Sequence, residues 1–113
     1  MHAVIRTYSG TEARELFNLL EKRKSDVDDL MHSIKGFSSY LLIRTDDGGT
    51  SVTVCEDKAG VDESSQRARD WIATNASSIH ADAPTVSEGS VIVHLNASDA
   101  PVIAAAIPLS TVS

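Results

Sequence analysis

Two arginines stand inside stretches that otherwise read as uncharged β-strands: Arg6 within residues 3–8 (AVIRTY) and Arg44 within residues 40–45 (YLLIRT). A guanidinium in such a setting needs an acceptor, because an unpaired buried charge costs several kcal/mol. A bound carboxylate or phenolate, gripped in bidentate fashion, is one answer. The plainer alternatives are an ion pair with Asp or Glu across a dimer interface and a side chain snorkelling out at the sheet rim. Tyr8 and Tyr40 share the alternation sets of Arg6 and Arg44 respectively. A phenol beside a guanidinium can donate to a developing oxyanion, the plainer alternative being amphipathic packing near a sheet edge. His94, among the apolar residues 91–95 (VIVHL), is the best-placed general base should a substrate need deprotonation.

The remaining chemistry-bearing residues point to little. His2, His32, His80 and His94 show no i, i+2 or i, i+4 pairing, and no Cys-x-x-Cys accompanies them, so no metal site is expected. His80 falls at the end of a predicted helix, where its charge suits the C-terminal dipole. Cys55 reads as a small buried hydrophobe in a strand. Ser64 and Ser65 lack the Gly-x-Ser-x-Gly elbow of a nucleophile. Gly48-Gly49 follows two aspartates and reads as a turn, with no helix or Lys-Ser/Thr pair to complete a phosphate loop.

The elements that must position these residues follow from periodicity. Residues 2–8 suit a strand. Ser9 and Glu12 have capping-box spacing, and Leu16, Phe17, Leu20, then Val27, Leu30, Met31 and Ile34 follow at helical steps. Between the two sets, residues 21–26 are wholly polar, either a solvated helical face or a break. Gly36 suits the helix C′ position. Residues 37–45 and 50–56 form a hairpin around Asp46-Asp47-Gly48-Gly49. A second helix runs from Asp57 or Asp62 to Ala76, with Val61, Ala68, Trp71, Ile72, Ala76 and Ile79 as its buried stripe. Residues 86–95 hold the fourth strand, whose apolar content is Val91, Ile92, Val93 and Leu95. The order β-α-β-β-α-β predicts an α+β, ferredoxin-like domain: a four-stranded antiparallel sheet with both helices on one face.

The 113 residues fit one domain, over 1–96, followed by a tail over 97–113 without firm structure. Ten basic against sixteen acidic residues give a net charge of −6 and a pI near 5.0, which argues against a nucleic-acid surface. No apolar run approaches a bilayer span. The N-terminus lacks secretion-signal features and Cys55 is alone, so a cytoplasmic location is expected. The strand centres contain no Lys, Asp or Glu, so whichever face the helices leave bare is too apolar for bulk water. A homodimer packing sheet face on sheet face is the simplest cover, and the C-terminal tail is the rival.

The junction Ile34-Lys35-Gly36-Phe37-Ser38-Ser39-Tyr40, the DDGG hairpin, the TSVTVCED strand and the Ala68-Arg69-Asp70-Trp71-Ile72 helix resemble antibiotic biosynthesis monooxygenase-like domains of the dimeric α+β barrel superfamily, in particular small bacterial members. The resemblance covers most of residues 2–95. It implies cofactor-independent oxygenation of phenolic polycyclic compounds, or haem degradation, while other members carry no assigned reaction. The haem-degrading branch uses an Asn on the first strand, a Trp and a His. This chain offers Trp71 and His80 but has Arg6 and Tyr8 on that strand and no Asn. The expectation is therefore a homodimer that binds a small, partly apolar molecule between sheet and helices, without cofactor or metal. If it is an enzyme, His94 would be the base and Arg6 with Tyr8 would stabilise the anion, with Tyr40, Arg44 and Trp71 on the ligand. The alternative is a non-catalytic ligand-sensing or assembly module whose polar strand residues pair at the interface.

Overall fold

Every second residue in the middle of β1 (His2–Ser9) is withdrawn from water: Val4 and Arg6 are buried, while Ile5 and Thr7 are exposed. The computed structural model describes residues 1–97, so all of the predicted tail except Ala97 lies outside the described residues. β1 pairs antiparallel with β3 (Gly48–Cys55) on one side and β4 (Thr85–Ser90) on the other. β2 (Phe37–Thr45) pairs with β3, giving the order β2-β3-β1-β4 of a ferredoxin-like sheet. The helices α1 (Thr11–Lys22), α2 (Lys24–His32) and α3 (Lys58–Asn75) pack on the face that carries Val4, Arg6, Ser51, Thr53 and Cys55.

The first helical segment is two helices rather than one, because the polar stretch is a break. Arg23 stands between α1 and α2 with φ −106°. Its guanidinium pairs with Asp26, reaches Asn75 Oδ1 at 3.4 Å and lies 5.5 Å over the Trp71 ring, pinning the bend to α3. The Ser9–Glu12 capping box does not form. Ser9 is the last residue of β1, and Gly10, at φ +101°, precedes α1 without a side-chain cap. The Gly10 N–H instead donates to Asp47 O at 2.7 Å, tying the helix start to the hairpin. Asp57 caps α3, its Oδ1 accepting from the Gly60 N–H at 3.0 Å, so the earlier of the two predicted starts is the one used.

The fourth strand ends at Ser90, five residues short of its predicted end. Ser90 pairs with His2 of β1, and the Val91 N–H donates to Met1 O at 3.0 Å. Beyond the strand, Ile92, Val93 and Leu95 stand 93%, 67% and 80% exposed.

Two core clusters share the space between sheet and helices. One gathers Val4, Met31, Ile34, Cys55 and Val61; the other gathers Leu16, Phe17, Leu20 and Ala76. Val27 touches both. Gly49 lets the Phe17 ring lie flat on β3: a Cβ there would fall 2.1 Å from the ring. Gly49→Ala is therefore expected to cost about 1–3 kcal/mol in urea unfolding, while Gly89→Ala, with nothing within 4 Å, should cost far less.

The sheet face opposite the helices is uncharged. Ala3, Ile5 and Thr7 of β1 stand opposite Val54, Val52 and Thr50 of β3, and Leu41 and Ile43 of β2 flank them. Ile5, Leu41 and Ile43 remain 42%, 59% and 43% exposed on the single chain.

Candidate ligand-binding site

The helix-facing residues of β3 are Gly49, Ser51, Thr53 and Cys55, all small. Opposite them, α3 presents Val61, Ser64, Ser65 and Ala68, again short side chains. Small residues on both layers leave space between the two core clusters, and a chamber of about 40 Å³ remains there. Arg6, Tyr8, Tyr40 and Ser51 supply its polar wall from the sheet. Leu20, Val27, Met31 and Trp71 supply much of its apolar wall from the helices. The chamber shares Phe17, Leu20, Val27, Tyr40 and Leu42 with a wider outer cleft of about 390 Å³, whose mouth carries Arg44, Glu21, Lys24 and Asp28.

Arg6 is the unusual member, at 5% exposure. Its Nη1 donates to Ser65 Oγ at 2.6 Å and its Nη2 to Thr53 Oγ1 at 3.3 Å. Among the described residues no carboxylate lies within ion-pair distance. Five N–H donors thus meet two neutral hydroxyls, and the charge is left without a counter-ion. Arg6 faces the helices, so the alternative of an ion pair across a sheet-to-sheet interface does not describe it. Arg44 is different. Its guanidinium donates to Asn18 Oδ1 and Glu21 Oε1, both at 2.7 Å, within the chain and half exposed at the cleft mouth. A pair of that kind is worth little in energy but sets the rim's shape.

Tyr8 and Tyr40 line the chamber on the same sheet face as Arg6, and burial pushes both hydroxyls above their ordinary value while the Arg6 charge opposes the shift. For Tyr40 the Ser51 hydroxyl also acts against it. Both phenols are therefore protonated donors at neutral pH. With folded values above the unfolded 10.0, burial of the neutral phenols contributes stability in full below pH 10, which is lost as pH rises through the folded values. Urea unfolding between pH 8 and 11.5 should show a flat stability that declines above pH 10. Tyr8→Phe and Tyr40→Phe should each flatten the decline.

His94 is the site residue that the fold does not bring in. It lies beyond the end of β4, exposed, and lines neither chamber nor cleft. Its predicted role rested on a strand that continues to residue 95, whereas β4 ends at Ser90. No histidine or carboxylate lines the chamber. Trp71 lies on the chamber wall as well as under Arg23. Ser65 and Thr53, the hydroxyls that hold Arg6, were missed from the sequence. The available signal was a Ser on the apolar stripe of α3 and a run of small residues alternating along β3.

No protein-family model and no curated protein matches this sequence. Solved structures do match in fold. A protein of unknown function from Nitrosomonas europaea, NE2512, superposes with a TM-score of 0.66 at 13% identity, covering 84% of this chain and 92% of that one. A monooxygenase from Streptomyces coelicolor, solved in complex with nanaomycin D, gives 0.55 at 16% identity, over 84% and 89%. The heme-degrader MhuD from Mycobacterium tuberculosis, with two hemes bound in its active site, gives 0.54 at 18% identity, over 85% and 100%. The fold is that of the antibiotic biosynthesis monooxygenase-like proteins, in agreement with the resemblance read from the residues. No helix among the described residues is long and apolar enough to cross a membrane.

Proposed function

We propose that this protein is a homodimer that binds a small, partly apolar molecule in the chamber between its sheet and helices. The observation that carries this reading is a buried arginine with no counter-ion among the described residues, on the wall of a largely apolar space that opens into a cleft. A cavity that is mostly apolar with a few convergent polar groups is the usual form of a small-molecule site. The uncharged outer face of the sheet, together with the exposed apolar residues after β4, supports a second copy as cover. Trp71 is the sole tryptophan and lines the chamber, so it reports occupancy directly. Titration with neutral 4-phenylbutanamide should change its fluorescence saturably. Ala68→Leu, which fills the chamber from α3, should abolish the response. Titrations of the wild type that stay flat with both the amide and 4-phenylbutyrate would remove the binding reading.

Cofactor-free oxygenation of a phenolic substrate is the second reading, favoured by the convergence of Arg6, Tyr8 and Tyr40 on one chamber, where they can hold an oxyanion. Because no base lines that chamber, the substrate has to arrive ionised. Oxygen uptake with phenolic polycyclic compounds should then survive His94→Ala and be lost in Arg6→Gln, and absence of uptake in the wild type would retire the enzyme reading. Haem fits poorly. Among the described residues no histidine lines the chamber or the cleft to serve as an axial ligand.

A further inference from the structure

We infer that the chamber is a carboxylate subsite, and that the ligand is an apolar monocarboxylic acid whose ionised head meets Arg6. The inference rests on the binding reading above and names its ligand class. A guanidinium presents a planar fork matched to a carboxylate, and Arg6 uses only part of its donor set on Ser65 and Thr53. One buried cation offsets one negative charge, so a dianion would carry its excess into an apolar pocket at heavy cost. A phenol is neutral at pH 7, and nothing lining the chamber can take its proton. A carboxylic acid is already ionised there and needs no base. The body of the ligand would run outward along the Leu20, Val27 and Leu42 wall that the chamber shares with the cleft.

Calorimetric titration of the full chain with 4-phenylbutyrate and with its neutral amide tests this. At pH 7 the acid should bind at least tenfold more tightly than the amide. In Arg6→Gln that ratio should fall to about one, through loss of acid affinity. Where Arg6→Gln fails to melt cooperatively, Arg6→Met takes its place with the same expected ratio. Equal affinity of the wild type for acid and amide, or a preference for the acid that survives in the variant, overturns the inference while leaving the binding reading intact. Failure of both compounds to bind defeats both.

Discussion

Replacing Leu41 and Ile43 together by lysine is expected to turn a dimer into a monomer that still melts cooperatively. Both side chains project from β2 onto the uncharged face of the sheet, 59% and 43% exposed in the single chain, so neither contributes to the core beneath the helices. In a two-fold, sheet-on-sheet dimer each substitution occurs twice, which places four ammonium groups in an apolar layer that holds no Asp or Glu to receive them. Loss of the aliphatic area and burial of unpaired charge act in the same direction. A dissociation constant raised by a factor of about a thousand corresponds to about 4 kcal/mol, and two such lysines per chain should exceed it. Sedimentation velocity at micromolar concentration reads the outcome. A wild-type chain that sediments as a monomer, or a double variant that stays dimeric, would remove this face as the interface.

The second large effect is a gain. Arg6→Met should raise thermal stability while destroying any preference for an anionic ligand. A buried ion pair exchanged for apolar residues of similar volume is often stabilising by about 1–4 kcal/mol, and Arg6 lacks even the pair. Ser65 and Thr53 lose a partner in the variant, which offsets part of the gain. For a domain of this size each kcal/mol moves the midpoint by roughly 4–8 °C, so a rise of several degrees is expected by calorimetry. That combination, greater stability with lost binding, is the signature of a residue kept for its site rather than for its fold. A fall in the midpoint would mean that Arg6 is a structural strut, and the ligand assignment would lose its main support.

The order of elements and the composition of each strand face were legible in the sequence because both follow from local rules. Period-two alternation placed Tyr8 with Arg6 and Tyr40 with Arg44 before any fold was known, and both pairs do lie on the helix-facing side. Helical spacing put Leu16, Phe17 and Leu20 in one stripe and Val61, Ala68, Trp71 and Ile72 in another, since a turn of helix repeats within a few residues. The absence of charge on the outer sheet face was equally a matter of reading alternate residues.

Tertiary structure alone decided which face the helices would cover, and with it the meaning of Arg6. The hydroxyls that hold its guanidinium lie 47 and 59 residues away in the chain, a distance over which no periodicity carries information. The limit of the fourth strand was likewise a matter of tertiary pairing: residues 91–95 have strong strand composition, but the ladder with β1 ends at Ser90 and leaves His94 outside the sheet. Arg44 and Arg6 looked alike in sequence, each a lone cation in an apolar strand. Only the fold separates them, because Asn18 and Glu21 of α1 pass within reach of the first and, among the described residues, nothing acidic passes within reach of the second. Local sequence determines what a segment can become; which charges find partners depends on the three-dimensional meeting of segments, since an ion pair is a property of distance and not of order along the chain.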